Sequence, residues 1–230
     1  MTTVSFLRHN SFFAPSDAED TYFNIIGVGA TGSWAALIAA KMGWHNFRVW
    51  DLDIIESHNC PNQAYDLDQV GMKKVNALEQ TLKKFNPDVI VEKYDCFFES
   101  KKHKDLLEGY VFIAVDSNAA RADILSSISN NVDIDLAFET KMGFDHASME
   151  IIDPFDTNHI DSLLNSLIPD EELEESACNA RIMTTLTTLV ASTLVHAMCD
   201  HSSSPRRKKT FTCKKKTLFY LNTFLTTYNP

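Results

Sequence analysis

Apolar positions in this chain fall into two kinds of run. Short, dense runs rich in β-branched and aromatic residues lie at Tyr22 to Ile26, Phe47 to Trp50, Val89 to Val91, Tyr110 to Val115, Val132 to Phe138 and Ala147 to Ile152, and read as strands. Between them come segments of helical character. These are the alanine-rich Trp34 to Met42, Met72 to Phe85 with Val75, Leu78, Leu82 and Phe85 at helical spacing, the charged Lys101 to Glu108, and Ala119 to Ser129. Strand and helix alternate through residue 138, which predicts an α/β fold: a doubly wound, mostly parallel sheet with helices on both faces. Ala147 to Ile152 in a hairpin, and Lys216 to Tyr228 as a terminal strand or hairpin arm, predict a C-terminal antiparallel extension.

The remainder is less periodic. Residues 1–20 mix Phe6, Phe12 and Phe13 with Asn, Ser, Pro and Asp and read as an irregular arm. Residues 154–176 are acidic and loop-like, with Pro169-Asp170-Glu171-Glu172 as a helix start, and a helix is expected from about Asn179 to Cys199. One domain is expected: the arm 1–20, a nucleotide-binding core 21–153, and a segment 154–230 completing it.

Gly27-Val28-Gly29-Ala30-Thr31-Gly32-Ser33 joins the first strand to the first helix. Gly27 permits the tight turn, Gly29 lets backbone N–H groups approach a phosphate, and Gly32 lets the helix pack on the strand with its positive end toward the anion. This is a Rossmann-like nucleotide signature. Asp51, 24 residues after Gly27, ends the second strand in Asp51-Leu52-Asp53, where a carboxylate can accept hydrogen bonds from ribose hydroxyls. Lys73 and Lys74 open the next helix, where cations oppose the dipole unless an anion is near. They are either phosphate ligands or a solvated pair. Asp116-Ser117-Asn118 follows the most apolar strand, where an acid lines the ligand crevice and can hold Mg2+. Glycine loop and Asp51 alone suit an NAD-dependent oxidoreductase, whereas Lys74 and Asp116 suit a triphosphate with metal.

Composition narrows the setting. The chain has 230 residues, 44% of them hydrophobic, enough for one sizeable domain. Its five cysteines are scattered, no CxxC occurs and no signal peptide precedes them, which points to a reducing cytoplasm and away from a structural zinc site. The longest uncharged run, Ile182 to Cys199, holds threonines and His196, so no membrane span is expected. The net charge is −10, yet residues 1–204 carry all 31 acids and 14 of the 21 basic residues, a balance of −17. The basic segment 205–216 is expected to be solvated, or to dock on its own protein or a dimer mate, rather than to bind nucleic acid.

Taken together, the motifs resemble the ThiF/MoeB superfamily of ATP-dependent adenylating enzymes, relatives of ubiquitin-activating enzymes. The resemblance covers about residues 22–139 and rests on the glycine loop, Asp51-Leu52-Asp53, Asn59 to Gln63, Gly71-Met72-Lys73-Lys74, Asn86-Pro87 and Asp116-Ser117-Asn118, in that order. Asp153-Pro154-Phe155-Asp156 through Cys178-Asn179-Ala180-Arg181 is similar to stand-alone ThiF-like proteins of bacteriophages and mobile elements.

The resemblance implies ATP and Mg2+ as cofactors, a site of Gly27, Gly29, Ala30, Thr31, Gly32, Asp51, Asp53, Asn59, Gln63, Lys74, Asp116, Ser117 and Arg121, and adenylation of a carboxylate. The implied partner is the C-terminus of a ubiquitin-like or sulfur-carrier protein or peptide, and the implied assembly is a homodimer into which Arg8 is inserted from the partner. Asn62 stands where the family usually has arginine, removing one positive charge from the phosphate site. The alternative is therefore a catalytically weak or inactive ATP-binding scaffold. Cys178, before a long helix whose N-terminus favours thiolate, is either a substrate-accepting cysteine or a small buried residue.

Overall fold

A computed structural model of the chain describes residues 4–170, 184–212, 214–221 and 225–229. In chain order the strands are β1 (Phe23–Ile26), β2 (Asn46–Trp50), β3 (Ile90–Tyr94), β4 (Gly109–Ile113), β5 (Ile134–Met142), β6 (His146–Ile152), β7 (Lys216–Tyr220) and β8 (Leu225–Asn229). The helices are α1 (Ala30–Met42), α2 (Lys74–Phe85), α3 (Ser100–His103), α4 (Asn118–Ile128), α5 (Thr157–Asn165) and α6 (Thr184–Arg207).

All eight strands join one sheet in the order β3-β2-β1-β4-β5-β6-β7-β8. The first five run parallel, and β6, β7 and β8 extend the sheet antiparallel. After β1 the chain moves outward to β2 on one side and later returns to β4 on the other. Ile26 is level with Trp50 and with Ile113, so the three strands end together beside the place where the strand order reverses, the usual ligand crevice of such sheets. Side chains alternate between two cores. Phe23, Ile25, Phe47, Tyr110 and Phe112 face α1, α2 and α6, while Ile26, Trp50, Val111 and Ile113 face α4 and α5. Burial on both faces explains why β4 reads as an unbroken apolar run.

Three expectations need correction. The arm is irregular, but Phe13 is fully buried and stacks on Trp44 with ring centroids 5.5 Å apart, so it belongs to the core. Residues read as an acidic loop contain α5, whose cap is Asp156 accepting the His159 N–H and whose buried positions are only Ile160 and Leu163, too sparse an apolar pattern to declare a helix. The long helix continues past Cys199 through serines and Pro205 to Arg207. Ser203 returns its hydroxyl to the Cys199 carbonyl at 2.6 Å, an arrangement that lets serine sit inside a helix. Its basic end docks on the same chain: Arg206 pairs with Asp17 at 2.6 Å, and Arg207 with Asp200.

Candidate nucleotide site

The glycine loop uses its three glycines differently. Gly27 has φ +94°, and a Cβ there would lie 2.5 Å from the Ala114 carbonyl oxygen. A Cβ on Gly32 would lie 2.0 Å from the Gly27 carbonyl, so only hydrogen fits where α1 meets its own loop. Gly29 differs, since a Cβ there would meet nothing within 4 Å. It opens α1 as the N-cap without a side-chain cap, leaving the helix start, with Ala30, Thr31 and Gly32 in its first turn, as a cradle for an anion.

Asp51 ties the second strand to that loop. One carboxylate oxygen accepts the Val28 N–H at 2.9 Å and the other accepts the Asp53 N–H at 2.9 Å. Burial raises its pKa above the usual carboxylate value, against the pull of nearby Lys74 and the two N–H donors. Tyr65 secures the loop from beneath, donating to the Val28 carbonyl at 2.7 Å from a fully packed position that pushes its own pKa well up. Sequence reasoning passes over Tyr65 because a lone aromatic in a loop carries no periodic signal.

Lys74 is the first residue of α2 and is 7% exposed. Its Nζ lies 2.6 Å from Asp53 Oδ2, while Lys73 instead donates to the Leu52 carbonyl at 3.0 Å and pairs with Asp95 at 3.2 Å. Of the two lysines, Lys74 is thus the one held against the Asp51-Leu52-Asp53 turn.

The chain as a whole has counterparts among known proteins. A ThiF family model matches residues 16–224. The chain belongs to the ThiF family. Among its relatives, ubiquitin-like modifier-activating enzyme 5 of Arabidopsis thaliana is 39% identical over 70 residues, 30% of this chain and 16% of that protein. The tRNA threonylcarbamoyladenosine dehydratase of Escherichia coli (strain K12) is 27% identical over 116 residues, 49% of this chain and 43% of that protein. E. coli MccB, solved with ATP, shares the fold with a TM-score of 0.72 at 14% identity, over 94% of this chain and 65% of that one. Against the curated relatives, this ThiF chain spans less than half their length.

The other expected site residues of this ThiF chain divide. Asn59 uses its side-chain carbonyl to accept the Glu56 N–H at 2.9 Å, closing its own loop turn. Asn62 accepts the Trp34 indole N–H at its backbone carbonyl at 3.0 Å, and its side-chain oxygen, like that of Gln63, is buried without a hydrogen-bond partner. Both oxygens are closed off from solvent. Asp116 is exposed just beyond β4, and among the described residues its carboxylate has no partner.

Two residues read as cofactor contacts are engaged elsewhere. Ser117 caps α4 by accepting the Ala120 N–H at 3.2 Å and donates to Asp170 at 2.8 Å. Asp170 also accepts from the Asn118 and Ala119 N–H groups at 2.7 and 3.2 Å, which hold its pKa below the ordinary value. Arg121, 7% exposed, pairs with Glu139 at 2.9 Å, so its guanidinium is committed to the protein interior. Arg8 is exposed on the arm. Phe6, two residues before it, packs on Phe85 at the end of α2 and near Gly43 at the end of α1, the opposite ends of both helices from the glycine loop and Lys74. Cys178 lies outside the described residues.

No helix among the described residues is long and apolar enough to cross a membrane. Nor, among the described residues, does any group of three or more His, Cys, Asp or Glu gather to hold a metal. A Mg2+ held by one carboxylate, phosphate oxygens and water would need no such group, and the unpartnered Asp116 carboxylate is a donor of the right hardness.

Proposed function

We propose that the chain binds ATP and adenylates a carboxylate, with the C-terminus of a ubiquitin-like or sulfur-carrier protein or peptide as acceptor. The observation that carries this reading is Asp51, whose two oxygens are fixed by Val28 and Asp53 so that ribose-binding acid, glycine loop and Lys74 turn form one unit. Names among the relatives support it: one is a ubiquitin-like modifier-activating enzyme, and MccB has been solved with ATP and with MccA.

In the proposed reaction an acceptor carboxylate oxygen attacks the α-phosphorus, the bond to the bridging oxygen of the β-phosphate breaks, and pyrophosphate leaves with that electron pair. No general base is required, because the carboxylate is ionised at neutral pH. The start of α1 and Gly29 receive the phosphates, Asp51 holds the ribose, and Lys74 exchanges Asp53 for phosphate oxygen. Mg2+, held by Asp116, supplies charge neutralisation on the triphosphate. Preorganised cations in a partly dry site lower such a barrier by several kcal/mol, roughly 3 for a single group.

A second reading, a catalytically weak ATP-binding module, is favoured by the arginines. Asn62 is neutral, Arg121 is bound to Glu139, and Arg8 sits at the far end of α1, where it would reach a site only in a partner of a homodimer. Exchange of labelled pyrophosphate into ATP, with a panel of ubiquitin-like, sulfur-carrier and peptide acceptors, separates the two. Mg2+-dependent exchange with any acceptor supports adenylation. ATP binding with no exchange across the panel supports the module, and no ATP binding refutes both.

A further inference from the structure

We propose that Arg121 and Glu139 form a buried positioning pair for Asp116, acting beneath the nucleotide site rather than in it; the inference rests on the adenylation reading. Arg121 Nη1 donates to Glu139 Oε1 at 2.9 Å, and Nη2 donates to the carbonyl of Val115, the residue joined to Asp116. Glu139 is 1% exposed on β5, level with Ile113 of β4, and Lys141 adds a second cation at 3.8 Å. One guanidinium thereby joins three elements: the chain leaving β4, the second turn of α4 on which Arg121 itself sits, and β5. A planar fork with fixed donor directions can hold a carbonyl and a carboxylate at once.

The pair bears on Asp116 through the peptide that carries it. Among the described residues the Asp116 carboxylate has no hydrogen-bond or ion-pair partner, so its direction is set by its backbone alone. That backbone is fixed on one side by the Ala114 N–H donating to Ile26 at 2.9 Å and on the other by the Arg121 N–H donating to Ser117 at 3.0 Å and by Asp170, which accepts from the Ser117 hydroxyl at 2.8 Å and the Asn118 N–H at 2.7 Å. The Val115 carbonyl lies between these two ties and is held by Arg121 Nη2. Loss of the guanidinium releases the peptide from which the proposed metal ligand projects, without removing any group that touches nucleotide.

The test is calorimetric ATP binding at stepped Mg2+ concentrations, with AMP as a ligand that needs no metal. Arg121→Met is expected to raise the half-saturating Mg2+ concentration for ATP about tenfold, the scale of effects from residues that orient metal ligands, with AMP affinity within about twofold of wild type. In an Asp116→Asn background the same substitution should add nothing, because two changes acting through one group are not additive. Arg121→Lys should recover part of the shift. Should Arg121→Met not fold, Glu139→Gln, which keeps shape and removes the charge, carries the test and is expected to shift Mg2+ in the same direction. Equal losses for ATP and AMP, an additive effect on Asp116→Asn, or an unchanged Mg2+ requirement in Glu139→Gln would overturn the proposal. Wild-type protein that binds no ATP would overturn the adenylation reading as well; wild type that binds it normally, with unmoved variants, would overturn the positioning role alone.

Discussion

Lys74 and Asp53 hold each other twice: Nζ lies 2.6 Å from the Asp53 carboxylate, and the Lys74 N–H donates to the Asp53 carbonyl at 2.9 Å. The lysine is nearly buried, whereas Asp53 is 63% exposed, so the carboxylate can turn to water when phosphate replaces it. Lys74→Ala is expected to weaken ATP binding by about 2 kcal/mol, the worth of a hydrogen bond to a charged group, with a much smaller effect on adenosine. Calorimetry with both ligands checks this, and wild-type ATP affinity would remove Lys74 from the phosphate site.

Gly29 and Gly32 should respond oppositely to alanine. At Gly32 the added methyl meets the Gly27 carbonyl at 2.0 Å, and overpacking of this kind costs about 1–3 kcal/mol, read as a lower melting temperature. At Gly29 the surroundings are open, so the fold should lose less while ATP affinity falls, the methyl taking space meant for phosphate. If Gly32→Ala melts like wild type, the close approach in the loop is not what the geometry indicates.

Acid should weaken nucleotide binding early. Burial raises the Asp51 pKa, so as pH falls this side chain takes up a proton, and gives up an acceptor, at a higher pH than an ordinary carboxylate. The same upward shift means that its ionisation costs stability as pH rises through its folded pKa, although its two oxygens still accept the Val28 and Asp53 N–H groups. As pH falls, ATP affinity should begin to decline in wild type at a higher pH than an ordinary carboxylate would set, and the decline should flatten in Asp51→Asn. An identical profile in both proteins would assign the titration to another group.

Phe13→Ala tests whether the arm is part of the domain. A fully buried phenylalanine stacked on Trp44 should cost about 3–5 kcal/mol on truncation, measured by denaturant unfolding. An arm that merely lies on the surface would lose less than about 1 kcal/mol.

Much of the fold is legible in the sequence because its signals are local. The dense runs at β1, β2, β4, β5 and β6 and the spaced apolar positions of α2 declare their elements directly. Gly27, Gly32 and Asp51 can be read because each answers a backbone requirement at a fixed distance along the chain. What escapes is decided by residues far apart. Nothing local announces that Glu139, 18 residues on, pairs with Arg121, or that Asp170, 53 residues on, accepts from Ser117. Tyr65 and Trp34 act through hydrogen bonds to backbone carbonyls, which leave no trace in spacing. The Ser202 to Arg207 end of α6 looks like a breaker because propensity records what serine and proline do alone, not what an Asp17 partner allows.

The Asp170 carboxylate on α4 gives the crevice a direction. Two helices, α1 and α4, begin at its rim, and each start is a positive end that attracts anions. One is already neutralised by a side chain of the same molecule, while the other carries no side-chain cap. A polyanion approaching the crevice therefore meets an asymmetric field, with one helix start open on the β1 side and the other already answered by Asp170 on the β4 side.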